Sequence, residues 1–231
     1  MSRPPILNPQ AVPVTGVDTH LPAVPAAVLS PAALRQRFAA QPAWQPEIAG
    51  DGARFAQREP AAAAVLVPLV MHESGLRLLL TRRTAHLRSH AGQISFPGGR
   101  VESEDGGVVE TALRETAEEI GLHRTQIEVI GQLPIYTTVT AFEVTPVVAL
   151  LRPGFTLTLD AGEVDEAFEV PLDFLMNPAH HQRHTFRWEG GERQFLSMPW
   201  HQRDAQGVLR EYFIWGATAA MLRNLYRFLS A

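Results

Sequence analysis

The chain has 231 residues, 45% hydrophobic and 19% charged, with 20 basic residues against 24 acidic ones and a formal charge of −4. That length suits one domain, or one with an appendage, able to bury most of its surface without staples. Cysteine is absent, which excludes a disulfide scaffold, thiolate catalysis and cysteine-ligated metal, and fits a cytoplasmic protein. The mild negative charge gives no footprint for nonspecific nucleic-acid binding. Every basic residue is arginine, so an anion site must use guanidinium forks or backbone N–H groups.

Residues 1–60 carry ten of the 18 prolines and are alanine-rich. They read as an N-terminal arm with one probable helix, capped by Ser30 and opened by Pro31. Arg3 is followed by no apolar core of signal-peptide length, and no stretch reaches the ~20 apolar residues of a membrane span. A domain is expected from residue 61 to residue 231. AAAAVLVPLVM and GLRLLLTRR, separated by HESG, predict a hairpin. TALRETAEEIGL predicts a helix ended by Gly121. QIEVIGQL, AFEVTPVVALL and the alternating FTLTLD predict strands, and EVDEAFEVPLDFL a strand running into a short helix. HTFRW, RQFLSM and LREYFIW predict later strands. In ATAAMLRNLYRFL, the residues Ala217, Met221, Leu225 and Phe228 form one stripe of an amphipathic helix. The sum is an α/β (α+β) fold, a mixed β-sheet sandwiched between α-helices.

On a helical wheel Glu115, Glu118 and Glu119 share an arc of about 100°, opposite Leu113, Thr116, Ala117 and Ile120. Like charges at this spacing cost ~0.2–0.5 kcal/mol per pair. Arg114 can neutralise Glu118, which leaves Glu115 and Glu119 in need of a cation. Oxygen-only ligands favour Mg²⁺ or Mn²⁺; a solvated acidic face is the competing interpretation. The preceding loop, FPGGRVESEDGG, adds more acid and a Pro-Gly-Gly turn open to a ligand. AHHQRH, with His180, His181 and His184, reads as a surface loop, and neither Ser95 nor Ser197 has the context of a nucleophile.

Gly99-RVESE-Asp105, followed eight residues later by RETAEEIGL, resembles the Nudix box, G-x5-E-x7-R-E-U-x-E-E-x-G-U. The helical half matches at Arg114, Glu115, Glu118, Glu119, Gly121 and Leu122. Asp105 stands where Glu is usual, the spacer is one residue longer, and Thr116 holds an aliphatic position. Upstream, LLTRRTAHLRSHAGQISFPGG is similar to the signature of the coenzyme A pyrophosphatase subgroup, matching at Leu79, Leu80, Thr81, Arg83, Arg88, Gly92, Phe96, Pro97, Gly98 and Gly99, with Thr84 in place of a smaller residue.

This resemblance implies a Nudix fold and a Nudix hydrolase, a coenzyme A diphosphatase. Such an enzyme cleaves coenzyme A and derivatives to adenosine 3′,5′-bisphosphate and 4′-phosphopantetheine, using Mg²⁺ or Mn²⁺. It implies Glu115, Glu118, Glu119 and the Gly99 carbonyl as metal ligands, and Glu115, Glu119 and Arg114 as catalytic residues. Substrate contacts fall to Arg83, Arg88, His90, Gly92 and Phe96; Arg82 is a helper and Phe96 is equally a core residue. Glu163 or Glu166 rivals Glu115 and Glu119 as general base. Asp105 and Glu102 are expected at the positive helix end, Glu102 also being within the reach expected of a second metal. The partner is a small molecule, with no nucleic acid and no membrane; a homodimer is left open. A pyrophosphatase for ADP-ribose or a dinucleotide, and a non-catalytic Nudix ligand sensor, are the alternatives.

Overall fold

The computed structural model describes residues 4–40, 42–51, 59–87, 90–204 and 206–231. In chain order the elements are β1 (Val14–Val17), α1 (Pro31–Ala40), β2 (Ala61–His72), β3 (Gly75–Arg83), β4 (Ile94–Ser95), β5 (Gly98–Arg100), α2 (Val108–Ile120), β6 (Ile127–Gln132), β7 (Tyr136–Thr137), β8 (Phe142–Leu151), β9 (Val164–Pro171), α3 (Leu172–Leu175), β10 (Gln182–Trp188), β11 (Gly191–Arg203), β12 (Leu209–Trp215) and α4 (Gly216–Ser230). They form two sheets. The larger is built on β2 and β8, which run parallel from the Ala61–Phe142 pair to the Val70–Leu151 pair; the smaller has the order β1-β10-β11-β12.

Strand β2 is apolar almost throughout because both of its faces are covered. On one face Ala64 and Leu66 meet Ala112 and Leu113 of α2. On the other, Val67 and Leu69 join the main core with Leu222, Leu225 and Phe228 of α4. Period-two alternation thus separates a helix-bearing front from a back packed on α4 and the second sheet. The predicted hairpin is short: only Leu69–His72 of β2 pairs with Gly75–Leu78 of β3. Along the same edge, Ala63–Val65 pairs instead with β5. Pro68, with no N–H to donate, falls in the gap between these partners.

Three other predicted segments differ from expectation. FTLTLD makes no sheet ladder; Thr158 and Asp160 donate their N–H groups to the Ile120 and Glu119 carbonyls, each at 2.9 Å. Its Phe155, Leu157 and Leu159 pack beside Ile120 and Leu122, so the alternation marks a segment lying along the end of α2. Helix α4 buries far more than a stripe: Met221, Leu225 and Phe228 are joined by Arg223 and Asn224. The histidine stretch is not a surface loop. His181 and His184 are buried, and the His184 imidazole is hydrogen-bonded to the Val12 carbonyl and the Ser197 hydroxyl.

Described residues of the segments 12–40 and 44–51 pack against this body. Ser30 accepts the Ala33 N–H at the start of α1, and Leu34 and Phe38 are core residues. The Phe38 ring lies over Gly131 of β6, where an added Cβ would stand 3.0 Å from Cγ. Asp18 and Glu47 carry the rest, pairing with Arg183 of β10 and with Arg223 and Arg227 of α4. Among the described residues no helix is long and apolar enough to cross a membrane.

Candidate active site

Helix α2 lies across β5, and its three glutamates meet three environments. Glu118 points to solvent, its side chain 60% exposed; Glu115 is largely covered, at 17%; Glu119 is buried, at 5%. Two glycines of β5 make this possible. The Gly98 N–H donates to Glu119 Oε2 at 3.4 Å. At Gly99 an added Cβ would run into the Glu115 carboxylate, 2.6 Å from Oε2. The wheel placed Glu119 on the open acidic face; the approach of β5 and of the chain at Asp160 encloses it.

Arg114 is the hub of the loop-to-helix joint. Its Nε and Nη2 grip both oxygens of Asp105 at 2.8 and 3.0 Å. Nη1 donates to Glu115 at 3.0 Å and Glu118 at 3.2 Å, and Nη2 also reaches the Arg100 carbonyl. Asp105 further accepts the Glu102 N–H and the Thr111 hydroxyl. The Arg114 hydrogen bonds, then these two, hold its carboxyl well below the usual carboxylate range. Asp105 does more than face a helix terminus: it pins the glycine loop to α2. Glu102 contributes its backbone N–H to that joint.

Arg83 enters from β3, with Nη1 3.7 Å from Glu119 and Nη2 3.7 Å from Glu163. The loop bearing Glu163 is fixed by Thr84, whose N–H donates to the Glu163 carbonyl and whose hydroxyl donates to that of Gly162. Glu119 is electrostatically short of positive charge. Burial foremost, with the neighbouring Glu163 and Glu115, pushes it up to about 8 against the opposing pull of Arg83 and the Gly98 N–H. Burial likewise raises Glu115, although Arg114 opposes it.

This donor set is all oxygen, as hard divalent cations require. Arg83 and Arg114 supply the nearby positive charge in this arrangement, and among the described residues no three Asp, Glu or His side chains are gathered closely enough to hold an ion.

The remaining candidates divide. Arg88 lies outside the described residues. His90 sits at φ 57° and hydrogen-bonds Gln93 at 2.9 Å. Gly92, at φ 67°, makes the left-handed turn that returns the chain to β4. Phe96 takes the core-facing alternative, buried in the main cluster. Glu163 reaches the site; Glu166 does not, bonding Tyr212 and Arg82 on the other face of the sheet. Neither the Asp105–Thr111 bond nor the contact of Gly99 with Glu115 follows from sequence spacing, though the hydroxyl six residues after an acid is a usable hint.

A family model described as NUDIX domain matches residues 60–188. Nudix hydrolase NudL of Salmonella paratyphi B, named as uncharacterized, is 42% identical over 164 residues, covering 71% of this chain and 80% of its own; the protein of the same name from Salmonella newport gives the same figures. Among solved structures, a MutT protein from Methanosarcina mazei is 24% identical with a TM-score of 0.42, over 52% of this chain and 83% of its own. A MutT/nudix family protein from Enterococcus faecalis is 17% identical with a TM-score of 0.43, over 87% and 75%. With more than half of its length matched by the family model and two fifths identical to NudL over 164 residues, the chain belongs to the Nudix family.

Proposed function

We propose that this Nudix protein hydrolyses the diphosphate of coenzyme A and its derivatives to adenosine 3′,5′-bisphosphate and 4′-phosphopantetheine. One observation carries the reading: Arg83, from the arginine motif upstream of the box, lies 3.7 Å from Glu119 at the end of the box helix. Two adjoining motifs thus meet in space through residues 36 positions apart in sequence. Glu115, Glu118, Glu119 and the Gly99 carbonyl would hold Mg²⁺ or Mn²⁺, which when bound neutralises phosphate charge and helps align the attacking water.

Arg114 keeps Glu115 and Glu118 in place while Asp105 keeps Arg114 in place. The ion pairs of Arg83 are long, and its side chain is 24% exposed, so it can turn its fork to a phosphate oxygen once a ligand arrives. With the box glutamates engaged as ligands, half-exposed Glu163 is the carboxylate free to take the water proton. Water oxygen bonds to phosphorus, the bridging P–O bond breaks, and the leaving phosphate carries away the electron pair.

Product analysis with coenzyme A, oxidised coenzyme A, ADP-ribose and NADH at several Mg²⁺ and Mn²⁺ levels tests the reading. Equal amounts of the two named products, with kcat/KM highest for a coenzyme A form, are expected. Intact coenzyme A beside cleaved ADP-ribose or NADH would overturn it.

A further inference from the structure

Strand β3 presents its last two residues to opposite faces of the sheet, as alternation requires. Arg83 faces α2 and Glu119. Arg82 faces β12, with its guanidinium carbon 5.1 Å above the Tyr212 ring and an Nη 3.6 Å from Glu166. Beside Arg82 opens a cavity of about 310 Å³, walled by Gly92, Gln93, Glu211, Phe213 and Trp215, a volume at the lower end of small-molecule sites. Phe213 and Trp215 project from the same face of β12, each half-buried. Ile6, Leu7, Pro9 and Gln10 close one side, tethered where the Gln10 amide donates to the Glu211 carboxylate at 2.7 Å.

The cavity lies across the end of β3 from the candidate active site. Its Gly92–Gln93 wall is bonded to the backbone of Arg83: the Gly92 N–H donates to the Arg83 carbonyl at 3.1 Å, and the Arg83 N–H to the Gln93 carbonyl at 2.9 Å. A ligand whose phosphates meet the Arg83 side chain would enter by passing around the end of β3.

We propose that this cavity is the nucleobase site, taking the purine end of the substrate while the diphosphate lies at Arg83 and the box helix; the proposal rests on the function proposed above. The lining matches that chemistry. Two aromatic rings and a flat guanidinium offer stacking partners to a planar heterocycle, and Glu211, Gln10 and Gln93 offer an acceptor and amide groups to its edge. The N-terminal segment becomes part of the binding site rather than an accessory to it.

The test is equilibrium binding to the full chain without divalent metal, followed by tryptophan fluorescence and calorimetry. The probes are adenosine 3′,5′-bisphosphate and 4′-phosphopantetheine, with Trp215→Leu and Glu211→Ala, at an exposed residue that holds Gln10 and His201, as variants. Loss of a base-stacking partner is worth roughly fivefold or more in affinity. Weaker binding of the nucleotide by at least that factor in Trp215→Leu, a smaller loss in Glu211→Ala, and unchanged 4′-phosphopantetheine binding are expected. Should Trp215→Leu fail to fold, Glu211→Ala decides. Unchanged nucleotide affinity in the variants, a loss confined to 4′-phosphopantetheine, or no nucleotide binding by the wild-type chain would overturn the assignment. Coenzyme A hydrolysis followed in parallel separates the two claims: an inactive protein that still binds nucleotide through Trp215 contradicts the reaction and keeps the site.

Discussion

Glu119 and Glu118 are neighbours in the box, yet one is buried beneath the sheet edge and the other lies in solvent. The difference comes from what passes over them. β5 donates an N–H to Glu119, and the chain at Asp160 bonds the Glu119 carbonyl. Gly99 shows how sharply one residue sets this geometry, since its missing side chain is the space that the Glu115 carboxylate fills. Gly99→Ala should displace Glu115, whose flexible end can yield, and lower kcat by roughly 10–100-fold. Its thermal midpoint should stay within a few degrees of wild type. Unfolding in place of inactivation, or unchanged kcat, would show that the glycine serves the loop and not the carboxylate. The acidic face itself was legible from helical spacing; which of its members would be buried was not, because that depends on chain segments far off in sequence.

The elements that hold the site are joined at the helix ends. The Arg114–Asp105 pair fastens the glycine loop to the start of α2, and Gly121, at φ 69°, turns the chain away from its end. Asp105→Asn keeps the size and one acceptor but loses the charge-assisted grip. It should lower turnover roughly 10–100-fold with KM little changed, and circular dichroism should show the helix intact. A KM effect alone would place Asp105 at the substrate instead. Existence and order of most elements followed from hydrophobic period: β8, β9, α2 and α4 lie where expected. FTLTLD had the right alternation and no free sheet edge to join, and its backbone bonds the end of α2 instead. Polar composition alone predicts a surface position for His181 and His184, because it cannot show that β1 pairs along β10 and that α4 packs on His181.

Across the whole molecule, the proline-rich first segment is locked on by charge as well as by Leu34 and Phe38. Arg223, wholly buried, donates to Glu47 at 2.7 Å and lies 3.0 Å from both Asp18 and the His181 Nδ1. The His181 Nε2 faces the Leu175 carbonyl, and burial pushes that imidazole down to about 4, so it is neutral at ordinary pH. Burial would raise Glu47, but hydrogen bonds from Arg223, Arg183 and Arg227 outweigh it and hold the carboxyl at about 2, below an ordinary value of 4.5. A depressed acid stabilises the fold above its unfolded value, and that contribution disappears as pH falls toward the folded one. Stability should therefore drop between about pH 4.5 and about 2, with Glu47 supplying about 1–2 kcal/mol after allowance for solvent screening. Glu47→Gln should be less stable at neutral pH and lose less on acidification, measured by urea unfolding at each pH. Parallel wild-type and variant curves would show the cluster to be energetically silent.

All of these scales meet in one requirement of the proposed function: the carboxylates that α2 carries toward β5 would serve a divalent cation. The most direct measurement is Mn²⁺ binding by electron paramagnetic resonance to the wild-type chain and to Glu119→Gln. The account predicts stoichiometric binding by the wild type, and affinity reduced at least about tenfold in the variant with circular dichroism and thermal midpoint preserved. Equal Mn²⁺ affinity in the two proteins would contradict it.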